Sequence, residues 1–278
     1  MSEHFFSVVI CSIEPLKFAQ ASACYEHLLA GVPHEIVGIH DATSLAAGYN
    51  RGLQLTQGDI VIFSHDDILI LDDDFAGKIA RRLETFDLLG FAGARKLVNA
   101  IWWCAGLPWI CGAIAHAHPR SLSLSIWNTE PWPVVDDIRA IDGLCIMARR
   151  EVAEEIGFDE SRFDGFHLYD LDFSFSAWRA GKKIGVCCDI PLIHTSLGQY
   201  DEQHAEYGRR FLEKHRDALS DPPAPVGKIK GAHGLFADHR ALIAEWRQEV
   251  FQRAALKARR VSERAGERAN ATLKRARR

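Results

Sequence analysis

Short apolar runs alternate with amphipathic stretches through most of the chain. Phe6 to Ser12, His34 to His40 and Asp59 to Ser64 are rich in Val, Ile and Phe and are bounded by turn formers or polar residues. That pattern predicts buried strands. Between them, Phe18 to Ala30 and Leu45 to Thr56 have helical spacing, ended by Gly31-Val32-Pro33 and by Gly58. Strand, helix, strand, helix, strand with short links predicts an α/β fold, a mainly parallel central sheet flanked by helices. Asp74 to Phe86 reads as an amphipathic helix through Phe75, Ile79, Leu83 and Phe86, and Leu88 to Ala94 as a short strand. Further on, Gly143 to Ala148 predicts a strand, Arg150 to Ile156 a helix, Asp170 to Gly181 a helix and Ile184 to Cys188 a strand. Tyr200 to Ala218 predicts a charged helix. The segment 97–135 has no clear period and holds Trp102, Trp103, Trp109, Trp127 and Trp132. Aromatics can stack on a sugar or a nucleobase, and they equally often pack a core or a lid.

The strand from Asp59 ends abruptly in His65-Asp66-Asp67. In an open parallel sheet, ligands bind beyond the carboxyl ends of the strands. Carboxylates there can hold a cation or take a proton, or simply cap the next segment. Asp41, His65, Asp66, Asp67, Asp170, Asp172 and His194 mostly fall at predicted strand ends or at a helix start, positions that could converge on one sheet edge. Oxygen ligands suit Mg²⁺ or Mn²⁺, and Mn²⁺ accommodates a histidine. Such an ion beside a diphosphate neutralises charge on a departing phosphate. A separate carboxylate can deprotonate an attacking hydroxyl. Together these describe group transfer from an activated donor. The turn after the first strand reads Ser12-Ile13-Glu14-Pro15, without the GxGxxG of a dinucleotide site, and the chain has no Walker A motif.

Two rivals use the same residues. A metal-dependent hydrolase would gather His65, Asp66, His116, His118, His167 and Asp172. His116-Ala117-His118 would put both imidazoles on one side of a strand, but Pro119 follows and no third ligand has zinc-motif spacing. The other rival is an inactive binding protein with a degenerate site.

Composition narrows the setting. The 278 residues are 47% hydrophobic and 25% charged, with a formal net charge of -4. This fits a soluble globular protein with no general nucleic-acid surface. Seven cysteines, an odd number without a CxxC, point to free thiols in a reducing, cytoplasmic setting. The start of the chain shows no signal-peptide pattern. The most apolar stretch, Leu97 to His116, is broken by Asn99, two glycines and Pro108, so no transmembrane segment is expected. Ser220 to Pro225 marks a boundary, giving a domain over 1–219 and a linker with a basic helical extension over 220–278. From Phe251 onward ten Lys/Arg face two Glu, a formal +8 that leaves -12 on the remainder. Such a helix can touch an acidic partner or, peripherally, the inner face of a membrane.

Four segments carry a family resemblance: Phe6 to Ser12; Ser44-Leu45-Ala46-Ala47-Gly48-Tyr49-Asn50-Arg51-Gly52; Phe63-Ser64-His65-Asp66-Asp67; and Tyr169-Asp170-Leu171-Asp172-Phe173 followed by Gly181 and His194. In their order and spacing the chain resembles nucleotide-sugar-dependent glycosyltransferases of the large inverting family 2. Within it, the chain resembles the bacterial glycosyltransferase-like branch with a histidine before its acidic pair. The resemblance implies a GT-A fold and direct displacement of a nucleoside diphosphate by an acceptor hydroxyl. The family's Asp-any-Asp metal motif falls on His65 and Asp67, and the aspartate of its Glu-Asp pair falls on Asp170, with Tyr169 in place of the glutamate. The resemblance therefore implies Asp170 as catalytic base. It places Asp41, Asn50, Asp66 and Asp67 at the nucleotide sugar, and His65, Asp67 and His194 at Mn²⁺ or Mg²⁺. The implied partners are a nucleotide sugar and a glycan or other hydroxyl-bearing acceptor.

Overall fold

The first five elements follow the expected alternation: β1 (Phe6–Cys11), α1 (Pro15–Leu28), β2 (His34–Ile39), α2 (Leu45–Leu55) and β3 (Ile60–Ser64). They belong to a computed structural model that describes residues 4–118, 121–127, 133–196 and 202–220. Trp132, the side chain of His118 and the basic extension beyond Ser220 lie outside the described residues. β1 runs parallel to β2 on one side and to β3 on the other, with Val8 opposite both Ile36 and Ile62. All of β3 is buried. Val8, Val9, Ile10, Ile62 and Phe63 expose no surface, and each such side chain contributes about 1.5–3 kcal/mol by leaving water. Pro15 opens α1 where no N–H is needed. Ser44 caps α2 by accepting from Ala47 N at 3.0 Å. α2 lies so close to β1 that a Cβ on Gly52 would come within 2.1 Å of Val9, and one on Gly48 within 2.5 Å of Cys11 Sγ.

After β3 come β4 (Ile68–Ile70) and α3 (Phe75–Leu83). The run expected as one strand over 88–94 divides into β5 (Leu88–Gly90) and β6 (Ala92–Ala94), which enter different sheets. Every residue from 88 to 94 is buried, so no polar alternation marks the switch. The stretch without a clear period contains a short 3₁₀ turn (Trp102–Ala105) and a hairpin, β7 (Ile110–His118) with β8 (Ser121–Trp127). Then follow β9 (Val134–Val135), β10 (Ala140–Ile141), β11 (Cys145–Arg149), α4 (Arg150–Ile156), α5 (Tyr169–Arg179), β12 (Ile184–Cys187), β13 (Leu192–His194) and α6 (Glu202–His215).

The larger sheet has the order β2-β1-β3-β11-β5-β12-β9. It is mixed, not mainly parallel as expected. β11 lies antiparallel to both β3 and β5, and β9 is antiparallel to β12, while β5 and β12 are parallel. After β5 the chain passes through the smaller sheet, touches the edge of the larger one as β9, returns to the smaller as β10, and then enters between β3 and β5 as β11 in the opposite sense. A strand buried on both faces carries no local sign of its direction. The smaller sheet, β10-β6-β7-β13-β4 with β8 on β7, brings β13 beside β4 at the end of β3. No helix among the described residues is long and apolar enough to cross a membrane.

A buried polar network docks α6 on α5. Arg179 Nη1 donates to His215 Nδ1 (3.2 Å), so His215 uses its Nε2–H to reach Asp172 Oδ1 (2.7 Å). Lys214 donates to Asp172 Oδ2 at 2.9 Å. Asp172 and His215 are 1% and 2% exposed. Removing one member of such a group strands the others in a poor solvent for charge. Asp172→Ala is expected to lower unfolding free energy by about 3 kcal/mol, read from the urea midpoint.

Candidate active site at the end of β3

The three polar residues after β3 leave the strand toward three different neighbours. Asp66 turns to β1 and α1, where Ser12 Oγ donates to its Oδ2 (2.6 Å) and Lys17 Nζ lies 3.9 Å from Oδ1. His65 faces α5, with its Nε2 2.7 Å from Tyr169 Oη, and Tyr169 also donates to Gly143 O at 3.3 Å. Burial raises the Tyr169 phenol well above its ordinary value, so it keeps its proton. Both contacts are satisfied when His65 donates its Nε2–H to Tyr169. Burial holds His65 below its ordinary value, against the pull of Asp67. The Nδ1 lone pair of the neutral ring then faces Asp67 Oδ1 at 3.8 Å, an acceptor opposite an acceptor.

Asp67 turns to the smaller sheet. Thr195 fastens it there by donating both its N–H (3.0 Å) and its hydroxyl (3.1 Å) to the Asp67 carbonyl. That stitch sets His194 over the carboxylate, with Nε2 3.2 Å from Oδ1. His194 Nε2 also meets Ser196 Oγ at 3.0 Å, and Asp67 Oδ1 is buried without a well-aligned donor. Burial opposes the charge on Asp67, but His194 and His65 hold the carboxyl below its usual range. His65, Asp67 and His194 each offer one ligand atom, all within 4.8 Å of one another. A buried carboxylate oxygen without a donor costs more than the ~1–3 kcal/mol of a neutral orphan. A divalent cation would offset that cost, so the donor set and the geometry fit a metal.

A cavity of about 490 Å³ opens from this group. Asp170, in the first turn of α5, and Asp142, just after β10, stand at the same cavity. Leu168 takes a left-handed conformation (φ 59°, ψ 6°) directly before α5, which costs a leucine about 1–2 kcal/mol. The bend starts the helix at Tyr169 and so puts Asp170 at the cavity. Asp170 approaches because residue 143 is glycine: a Cβ there would lie 2.6 Å from Asp170 Cβ and 2.4 Å from Tyr169 Oη. Burial, with the charge of Asp142 adding to it, pushes the Asp170 carboxyl up to about 7.

The other expected residues fall elsewhere. Asp41 is exposed beyond β2 and paired with Arg51, whose hydrogen bond lowers its pKa. Asn50 was expected at the nucleotide sugar, but both ends of its amide are engaged. It donates to Phe158 O (2.8 Å) and accepts from Phe158 N (3.0 Å), clasping the loop after α4 to α2. Of the hydrolase set, His65, His116 and His167 border the same cavity, but Asp66 faces Ser12 and Asp172 is locked to α6, so the set lacks its carboxylates there. Trp102, Trp103 and Trp127 border the cavity, whereas Trp109 packs under Lys96 at 3.9 Å. Asp142 was not among the sequence candidates. It follows β10, a strand of two residues too short to show an apolar run in the sequence, so the strand-end rule passes over it.

The family model described as glycosyltransferase like family matches residues 7–215. The chain belongs to that family. The match spans the chain from β1 to the end of α6 and includes His65, Asp67, Asp142, Asp170 and His194. No curated protein matches this glycosyltransferase-like chain. One solved structure, the crystal structure of A197 from STIV, is similar over 83% of this chain and 100% of that one. Its identity is 13% and its TM-score 0.41, too distant a likeness to carry an argument.

If the three ligands hold an ion, Mn²⁺ should raise the melting temperature of the full chain, increasingly with the logarithm of its concentration above the dissociation constant. Asp67→Asn should weaken that response at least as much as the ~10–100-fold that losing an outer-shell partner costs. Equal Mn²⁺ shifts in both proteins would contradict the assignment.

Proposed function

We propose that this protein transfers a sugar from a nucleoside-diphosphate donor to an acceptor hydroxyl with inversion. One observation carries the reading: a cation-type ligand group and a separate carboxylate held near neutrality share one cavity. When bound, the cation supplies positive charge to the departing diphosphate. Asp66, Ser12 and Lys17, with Asp41 and Arg51 beyond β2, provide the edge on which the nucleoside rests. Asp170 takes the proton of the acceptor hydroxyl. The acceptor oxygen bonds to the anomeric carbon on the face opposite the leaving group, and the bond from that carbon to the phosphate oxygen breaks. Two imidazoles beside one carboxylate favour Mn²⁺ over Mg²⁺, which prefers oxygen. His65 and Tyr169, standing where the family pattern has acidic residues, favour as second reading a nucleotide-sugar binder without turnover. The +8 extension beyond residue 250 would bring the domain to an acidic partner or an anionic membrane surface.

A panel of nucleotide sugars with Mn²⁺ and with Mg²⁺, read by binding and by donor hydrolysis, tests the proposal. Binding of no nucleoside diphosphate would overturn it, and binding without turnover under any condition would select the second reading. Asp170→Asn should reduce turnover about 100- to 10,000-fold and largely spare donor binding. Because Asp170 must be ionised to accept a proton, the rate should rise with pH through a midpoint at about 7. A rate that is flat from pH 5 to 8 would contradict the raised Asp170 carboxyl, since an ordinary carboxylate at roughly 4 is already ionised throughout that window.

A further inference from the structure

The cavity carries two carboxylates, and a single proton transfer uses only one. Asp142 is brought beside Asp170 by the glycine that follows it: a Cβ on Gly143 would lie 2.9 Å from Asp170 Oδ2. Asp142 is itself gripped from behind. Trp102 Nε1 donates to its Oδ2 and Leu144 N to its Oδ1, each at 3.1 Å. A carboxylate oxygen accepts two hydrogen bonds, so each retains a lone pair, and Asp142 borders the cavity.

The same cavity has aromatic walls. Trp102, held by Asp142, stands edge-on to Trp127 with centroids 5.6 Å apart. Trp103 and Phe166, 44% and 53% exposed, stand at the cavity too. A pyranose offers C–H faces to such rings and hydroxyls along its edge to such carboxylates. Among the described residues, no Lys or Arg borders the cavity. A phosphate-bearing acceptor would therefore meet two carboxylates and the imidazoles of His65, His116, His167, His194 and His204, with no guanidinium or ammonium to receive it.

We propose that Asp142 binds the acceptor, and that the acceptor is a neutral pyranoside presenting two adjacent hydroxyls, one to Asp170 and one to Asp142, with its ring against Trp103. This rests on the transfer reading above. Asp142 accepts a hydrogen bond from the hydroxyl that does not react, and thereby selects which hydroxyl reaches Asp170.

Saturation-transfer NMR on the full chain tests this directly, with methyl glycosides of glucose, galactose, mannose and N-acetylglucosamine as probes. Binding of UDP and GDP with Mn²⁺ is measured in parallel on every protein. At least one glycoside should bind. Asp142→Asn should weaken it about tenfold or more relative to the nucleotide, the worth of one hydrogen bond to a charged group. An analogue lacking either hydroxyl of the pair should bind the wild-type protein more weakly. The analogue lacking the hydroxyl that meets Asp142 should no longer distinguish wild type from Asp142→Asn. Trp103→Ala should also weaken glycoside binding, and as a change at a half-exposed residue it keeps the test readable if Asp142→Asn fails to fold. Binding of no glycoside, equal binding by both variants and wild type, or binding of a polyprenyl phosphate in micelles in place of the glycosides would overturn the proposal. If a nucleotide binds and no glycoside does, this inference fails while the transfer reading stands. If glycosides bind and no nucleotide does, the transfer reading fails instead.

Discussion

The arrangement turns on one buried carboxylate. Asp67 follows β3, an interior strand of the larger sheet, and is fixed to the smaller one by two hydrogen bonds from Thr195 to its carbonyl. Its Oδ1 is left without a donor between two imidazoles. That oxygen is expensive to bury, and the fold holds it there through backbone pairing on both sides. β3 is locked between β1 and β11, and β13 between β4 and β7. His194 therefore stands on a paired strand, and His65 and Asp67 lie in a three-residue link held at both ends by paired strands, β3 and β4.

The same strand end separates the tasks. Asp66 turns toward α1, Asp67 toward β13 and His65 toward α5. The chain bends at Asp66 and Asp67 between β3 and β4, so three consecutive residues reach three elements. His65 links the cation ligands to Tyr169, and Tyr169 links them to Gly143, which lies between the two cavity carboxylates. α5 carries Asp170 at its start and Asp172 one residue pair later. The first faces the cavity and the second secures α6. A helix puts residues i and i+2 on different faces, which explains how near neighbours in sequence serve unrelated ends.

Much of the fold's first half could be read from the residues. β1, β2 and β3, the helix α2 between them and the polar stop after Ser64 follow from apolar runs and turn chemistry. The grouping of His65, Asp67 and His194 came from a family resemblance, because residues 67 and 194 meet only through the pairing of β4 with β13. What could not be read was direction and partnership. Cys145–Arg149 is apolar like a parallel strand yet lies antiparallel between β3 and β5. The change of sheet at Phe91 is hidden because both sides of it are buried. Asn50 sits in a segment that resembles a nucleotide-binding motif but spends its amide on Phe158. Asp142 follows a strand of two residues that leaves no apolar run to read, and it gains its meaning only from Gly143 and α5 packing against it.

The central claim is that His65, Asp67 and His194 hold a cation against a diphosphate. Electron spin echo spectroscopy of Mn²⁺ bound to the full chain, with and without a nucleoside diphosphate, tests it most directly. Nitrogen modulation from directly coordinated imidazoles, joined by phosphorus coupling when the nucleotide is added, is the expected result. A Mn²⁺ signal without histidine nitrogen, or one that never acquires phosphorus coupling in the presence of bound nucleotide, would contradict it.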